Sequence, residues 1–530
     1  METLLAKYND ILNNYFGYKE LKKEQFEIIN ELIKGNDVMA ILTTGYGKSI
    51  CFQMPYIITK LCVIVISPLL ALMTDQEEQL ERLGIPVVCL NSNTKDKNLE
   101  KEKILSGEYK IIYITPEYFV LCEDFVKTLY ETGGLSLISV DESHCSSQWS
   151  TFRPSYAKLF LIKEWLNVPV LAVTATASKH VREDICRILK LENPYVVIGS
   201  FDRPNLSLSI MEKTKNIKND IKGLLEKYKD KYCIIYCKTK KDTEKLSILV
   251  NELGYKCEAF HAGINNNERA RIQDEYTKGK VKVLCATICF GLGVNIANIR
   301  LIIHYGCSQN LENYYQEIGR AGRDGNYSEC TMFYSPKDFY LNKFMTENIE
   351  DATQRKYQDL QNKKIRAFVY TNECRRKLLL SCFDEINIPE KCTNCDNCNK
   401  KKYIVQDFTL NTYKLLTLIS QLGSDRGSIF FINVLRGSNN KKMKYFKNHL
   451  LYGTGYGHNE LYWKTLIRDL TVSEYIDEKK LKDNFGSTIY CTSKAMTWLS
   501  KINNKYYDIL FGENINFAEE DKIYLQVSMK

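Results

Sequence analysis

The chain has 530 residues, 44% of them hydrophobic and 26% charged, and 73 Lys and Arg against 64 Asp and Glu leave a net charge of +9. That composition supplies ample core for several domains of roughly 100–200 residues each, and no apolar run reaches the roughly 20 residues that cross a bilayer, which excludes a membrane-spanning protein. The opening METLLAKYNDILNNYF lacks the basic-then-apolar layout of a secretion signal. The expectation is therefore a soluble intracellular protein with reduced cysteines and a basic excess suited to a polyanionic partner. Two stretches then alternate strand-like and helix-like patterns. The first, about 30–200, places strands near 38–42, 62–67, 86–90, 110–114, 135–140 and 170–174. The second, about 206–345, places them near 232–236, 256–260, 282–285, 300–304 and 330–334. Such alternation predicts an α/β fold of two tandem parallel-sheet lobes with helices on both faces and a cleft between them. Residues 346–402 become helical, charged and then cysteine-rich, and a smaller unit of short amphipathic helices follows Tyr403. The predicted division is 1–205, 206–345, 346–402, 403–500 and a tail of 501–530.

The first strand runs into Thr44-Gly45-Tyr46-Gly47-Lys48-Ser49. A strand, a glycine turn and a helix N-terminus gather backbone N–H groups and the positive dipole end around phosphate oxygens. Lys48 would reach the β and γ phosphates and the Ser49 hydroxyl would sit on a metal ion. Leu42 stands where the longer G-x-x-x-x-G-K-S pattern has its first glycine. The helix opening at Ile50 is expected to be cut at Pro55. A second apolar strand ends in Asp141-Glu142-Ser143-His144. Two carboxylates at the end of a buried strand need a cation beside them. Asp141 would hold Mg²⁺ and Glu142 would direct a water at the terminal phosphate. His144 is expected to link the nucleotide to a polymer site. These two motifs together mean nucleotide hydrolysis.

Cys392, Cys395 and Cys398 are spaced three apart. In a reducing compartment they read as ligands for Zn²⁺, which needs a fourth. Cys374 and Cys382 both precede them, and spacing alone leaves the choice open. With no open position the site is structural.

The order of motifs resembles the RecQ family of superfamily-two DNA helicases. The runs that carry the resemblance are Ser67-Pro68-Leu69, Thr174-Ala175-Thr176-Ala177, Phe201-Asp202-Arg203-Pro204-Asn205-Leu206, Phe260-His261-Ala262-Gly263 and Gln316-Glu317-Ile318-Gly319-Arg320-Ala321-Gly322-Arg323-Asp324-Gly325. The resemblance implies RecA-like lobes, then a helical zinc-binding module and a winged-helix domain. It implies that Tyr18 stacks on adenine and Gln25 reads its edge, with Lys22 where the family has an arginine. It makes Gln316, Arg320 and Arg323 the second lobe's part of the catalytic apparatus, the arginines meeting the γ-phosphate as the cleft closes. Trp149, Phe152 and Arg153 resemble the family's aromatic loop for single-stranded DNA, one residue shorter here. Ile296 and Asn298 stand where the family has Lys and Asp, so a contact to DNA or nucleotide is lost. Cys374 matches the family's first zinc ligand.

The unit after Tyr403 resembles the family's winged helix. The basic run Lys441 to Lys447, with Tyr445 and Phe446 interleaved, suits duplex phosphates, and a hairpin within 473–491 would separate base pairs with Phe485 or Tyr475 as its wedge. The resemblance implies an ATP-dependent helicase moving 3′ to 5′ on single-stranded DNA and unwinding duplex DNA, without membrane partners. The alternative is an ATPase directed at RNA, or one that remodels protein–DNA complexes without processive unwinding. The sequence sets no oligomeric state.

Overall fold

The computed structural model describes residues 2–91, 94–148, 154–288, 290, 296–347, 349–385, 388–399, 403–480, 487–505 and 517–528. The chain forms two compact units: residues 1–351 with 374–398, and residues 352–373 with 399–530.

The first unit holds two parallel sheets. Strands β1 (Val38–Ile41), β2 (Cys62–Ile66), β3 (Val87–Leu90), β4 (Ile111–Ile114), β5 (Leu135–Val140), β6 (Val170–Thr174) and β7 (Tyr195–Ile198) lie in the order β3-β4-β2-β5-β6-β1-β7. Strands β8 (Leu206–Glu212), β9 (Tyr232–Cys237), β10 (Cys257–Phe260), β11 (Val283–Ala286), β12 (Ile299–Tyr305) and β13 (Ser328–Tyr334) lie in the order β10-β11-β9-β12-β13-β8. The central strands read as unbroken Val, Ile and Leu because both faces are covered by helices: Val38, Ala40, Val63, Val65, Leu171 and Val173 all lie in one buried cluster. In the first sheet, Ala40 pairs in parallel with Val173 of β6 on one side and Val197 of β7 on the other.

Two strands of this unit went unread in the sequence. β7 is an edge strand with Tyr195, Val196 and Ile198 exposed, so its apolar run lacks the buried alternation that marks a strand. β8 does alternate, Leu206, Leu208 and Ile210 being buried, and it follows directly from the connection between the lobes. The helix after the phosphate turn also departs from expectation: it runs unbroken from Lys48 to Thr59 through Pro55. Residues Ile50 to Pro55 of that helix are all buried. Their burial, at about 25 cal/mol per Å² of apolar surface, outweighs the roughly 3 kcal/mol that an interior proline costs.

In the second unit the helices Thr409–Leu422, Ser428–Leu435, Glu460–Val472 and Ser493–Lys505 surround a core built on Leu416, Phe431, Trp463 and Leu499. Strand β14 (Tyr403–Asp407) pairs antiparallel with β17 (Tyr524–Ser528), and β15 (Ile476–Lys480) with β16 (Ser487–Cys491). The helix Ala352–Tyr370 joins this unit through Lys363 to Glu474 and Arg366 to Glu478. The hairpin is therefore present, but Tyr475 lies at its base, its ring 6.2 Å from Trp498 and against the core. It packs rather than projects, so it is no wedge. Phe485 lies outside the described residues. Within the basic run, Tyr445 is 89% exposed, whereas Phe446 turns inward onto Phe430. Among the described residues no helix is long and apolar enough to cross a membrane.

Candidate nucleotide site and metal centre

β1 delivers the chain into the turn that begins the helix Lys48–Thr59. Gly47 caps that helix at φ +92, and a Cβ there would fall 2.5 Å from Gln25 Nε2. Both the backbone angle and the neighbour require glycine. A cavity of about 370 Å³ opens over the turn, within the range of small-molecule sites. Its walls include Thr44, Gly45, Lys48, Ser49, Asp141 and Glu142 from the first lobe, and Gln316, Arg320 and Arg323 from the second. The stem of Arg323 lies against Gly45 itself.

The charges in this cavity are unequal in burial and effect. Burial, then the neighbouring Glu142, raises the pKa of Asp141, with Lys48 opposing. Burial also acts upward on Glu142, but Lys48, His144, Arg320 and Arg323 outweigh it and hold that carboxylate low. Glu142 adopts φ +48, a left-handed backbone uncommon for such a residue and frequent at functional sites. Burial, then repulsion from Arg320, lowers Arg323 to about 10. Three cations thus crowd a buried pocket with one firmly ionised acid. The Nε of Arg320 has no hydrogen-bond partner among the described residues. A polyanion with its Mg²⁺ answers both conditions. Ser49 and Asp141, both on the cavity wall, are the residues that could hold the ion.

His144, buried, has its Nδ1 2.8 Å from Thr174 Oγ1 and 3.4 Å from Glu142 Oε2. Gln316 Nε2 lies 3.1 Å from His144 Nε2 and 3.3 Å from Thr176 Oγ1.

The upstream segment behaves differently from expectation. Tyr18 lines the cavity and is 60% exposed. Gln25 and Lys22 instead hold the phosphate turn from behind. Gln25 Nε2 donates to the carbonyls of Tyr46 (3.2 Å) and Gly47 (3.1 Å), and its Oε1 accepts from Lys22 N. Lys22 Nζ donates to Tyr46 O at 3.1 Å and stands 3.9 Å over the Tyr46 ring, whose hydroxyl donates to Glu24. That Tyr46 organises this side of the turn has no signature in the sequence. Trp149, Phe152 and Arg153 lie outside the described residues. Ile296 is buried and Asn298 exposed; neither lines the cavity.

The sulfurs of Cys374, Cys392, Cys395 and Cys398 all lie within 4.8 Å of one another, and those of Cys392 and Cys398 are 3.9 Å apart. Tetrahedral zinc with Zn–S near 2.3 Å requires sulfurs about 3.8 Å apart, so the cluster fits the ion. Cys382 is not among them; its thiol donates to Leu378 O. Burial acts upward on Cys374, but backbone N–H groups of Lys377 and Cys392 and the thiols of Cys392 and Cys398 hold its thiol low overall, the form a metal takes up. The segment is fastened to β8 by Leu208 N donating to Asn394 O and by Ile210 N donating to Asp396, whose carboxylate Arg375 of the segment also holds.

A phosphate turn and paired acids on one parallel-sheet lobe, facing arginines on another, define a two-lobed nucleotide-driven motor. The DEAD/DEAH box helicase family matches residues 22–185, the helicase conserved C-terminal domain 216–325, the RecQ zinc-binding family 336–399 and the RQC domain 402–507. The chain is 38% identical over 508 residues to the putative ATP-dependent RNA helicase R290 of Acanthamoeba polyphaga mimivirus, covering 93% of this chain and 92% of that one. It is 36% identical to the ATP-dependent DNA helicase RecQ of Pasteurella multocida, over 92% of this chain and 77% of that one. Against mouse bifunctional 3′-5′ exonuclease/ATP-dependent helicase WRN it is 36% identical over 94% of this chain but spans only 38% of that protein. Among solved structures, the DEAD-box helicase Mss116 bound to single-stranded RNA superposes with a TM-score of 0.54 at 19% identity, over 70% of this chain and 84% of that one; this supports the fold. The chain belongs to the RecQ family of superfamily-two helicases, and it is an ATP-dependent enzyme with zinc and magnesium as its metals.

Proposed function

We propose that this protein is an ATP-dependent DNA helicase that moves 3′ to 5′ along single-stranded DNA and unwinds duplexes, hydrolysing ATP in the cleft between its lobes. The observation that carries the reading is the single cavity shared by Lys48 and Glu142 of one lobe and Arg320 and Arg323 of the other. Lys48 and the turn's N–H groups bind the β and γ phosphates. Mg²⁺, when bound by Ser49 and Asp141, neutralises charge on the phosphate oxygens. Glu142 orients the attacking water, kept ionised by the surrounding cations. Arg320 and Arg323 stabilise charge developing at the γ-phosphate, a contribution worth about 10³–10⁵ in rate for such arginines. Tyr18 stacks on the base, while Lys22 and Gln25 serve binding by fixing the shape of the turn. Gln316 carries the state of this site through His144 toward the strand-binding residues, where Trp149, Phe152 and Arg153 stack on bases and meet phosphate.

Cys374, Cys392, Cys395 and Cys398 hold structural zinc. The second unit, with its basic Lys441–Lys447 run, takes duplex DNA; the RQC match over 402–507 supports that role. A second reading, an RNA-directed ATPase, has the RNA-helicase name of the mimiviral relative in its favour. ATP turnover measured with single-stranded DNA and with RNA of equal length decides between them. Stronger stimulation by DNA is expected; stronger stimulation by RNA overturns the substrate assignment.

A further inference from the structure

Arg203 lies in the connection between the two lobes, between β7 and β8. Among the described residues its guanidinium hydrogen-bonds only backbone carbonyls, and these come from both sides of the cleft. Nη1 donates to Thr44 O at 3.3 Å and to Gly319 O at 3.4 Å; Nη2 donates to Ala321 O at 3.0 Å and Gly322 O at 2.8 Å. Thr44 opens the phosphate turn. The other three carbonyls belong to residues directly beside Arg320 or Arg323 in the arginine run. One planar fork therefore sets the spacing between Lys48's loop and the two arginines, with a rigidity that a lysine's single point of attachment lacks.

The neighbouring residues tighten this junction. Asn205 Nδ2 donates to the carbonyls of Gly322 and Asn326, both at 2.9 Å. Gly322 has φ +55, and a Cβ there would fall 2.5 Å from Asn205 Nδ2, so the connection lies directly on the arginine run. Behind it stands the zinc module. Arg376, 5% exposed, donates to Asp202 Oδ1 at 2.6 Å, to Arg203 O at 2.8 Å and to Asn394 Oδ1 at 3.0 Å. Asn394 lies between two of the cluster cysteines and donates to Pro204 O at 2.6 Å. Phe383 stacks on Phe201 with centroids 4.8 Å apart, and Glu385 accepts from Phe201 N at 2.7 Å.

We propose that Arg203 is the positioning residue about which the cleft opens and shuts, and that the zinc module acts in catalysis by fixing the backbone of Arg203 through Arg376. The phosphate turn and the arginine run remain fastened at this point while the parts of the lobes farther from it separate. The proposal rests on the helicase reading above and adds a residue that does not line the nucleotide cavity.

The test is steady-state ATP turnover with saturating single-stranded DNA in zinc-loaded Arg203→Gln and Arg203→Lys. Glutamine cannot span carbonyls on both lobes, and a misplacement of about 1 Å costs about 10²-fold in rate. For R203Q the expected result is a fall of about 10²-fold in kcat with KM for ATP within about twofold, zinc content unchanged. For R203K, which keeps the charge but not the fork, about tenfold is expected. If R203Q does not fold, R203K decides. A zinc-loaded variant that keeps kcat within about twofold, or that loses activity through KM instead, overturns the proposal. If the unsubstituted chain turns over no ATP, the helicase reading fails. Arg203 is then judged by energy transfer between dyes at Leu121 and Ile248, exposed positions on the two lobes: R203Q should broaden the distance distribution, and an unchanged distribution contradicts the pivot.

Discussion

Gln316 of the second lobe sets its amide nitrogen 3.1 Å from Nε2 of His144 on the first. An amide N–H donates, so His144 Nε2 accepts and its proton resides on Nδ1, where it meets Thr174 Oγ1 at 2.8 Å. Burial lowers the pKa of His144 despite Glu142 nearby, which agrees with a neutral ring. One imidazole thus joins Glu142 of one lobe to Gln316 of the other. Gln316→Ala should lower DNA-stimulated kcat by about 10²-fold while KM for ATP moves by less than about threefold, the pattern of an interaction made only in the productive state. A change confined to KM would place Gln316 in nucleotide binding instead.

Glu142→Gln preserves shape and removes the charge that the cations of Lys48, Arg320 and Arg323 stabilise. Turnover should fall by at least about 10³-fold, with ATP affinity, read by a fluorescent ATP analogue, within about threefold of the original. Lys48→Ala should lose both turnover and affinity. Equal loss of affinity in the two variants would contradict the division of roles.

The zinc assignment separates two cysteines eight positions apart. Cys374→Ser should lose stoichiometric zinc and, by loosening the segment that holds Arg203, DNA-stimulated turnover. Cys382→Ser should keep its metal, because its thiol donates to Leu378 O rather than facing the cluster. Metal analysis of purified protein reads both. Retention by Cys374→Ser with loss by Cys382→Ser reverses the ligand choice.

Trp463 is fully buried and donates from its indole nitrogen to Gly455 O at 3.2 Å. Trp463→Ala should cost the second unit about 3–5 kcal/mol, seen as a separate early transition in calorimetry. ATP turnover with single-stranded DNA should persist, since the nucleotide site is built from residues of the first unit alone. Abolition of that turnover would show the second unit to be needed for chemistry.

The strands that end at the phosphate turn and at Asp141 were legible because buried parallel strands are short apolar runs closed by turn residues. The ligating cysteines were legible from spacing, except that Cys374 needed a family resemblance to separate it from Cys382. What escaped reading arises only in three dimensions. Arg203 hydrogen-bonds carbonyls, which every residue possesses, so no side-chain pattern announces its partners. Gln25 was read as meeting a base, yet its amide is spent on Tyr46 and Gly47, a pairing set by how the upstream helix packs behind the turn. Pro55 suggested a break because its lost hydrogen bond is visible in sequence, whereas the burial that offsets it is not. Tyr475 and Phe446 looked like surface aromatics among charges and proved to be attached to a core.

Strand displacement on a duplex with a 3′ single-stranded tail, compared with the same duplex bearing a 5′ tail, tests the central claim most directly. With ATP and Mg²⁺ the enzyme should release the strand from the 3′-tailed substrate, fail on the 5′-tailed one, and lose release on Arg320→Ala or Arg323→Ala substitution. Displacement that favours the 5′ tail, or that survives loss of both arginines, would contradict a motor driven by closure of the cleft between the lobes.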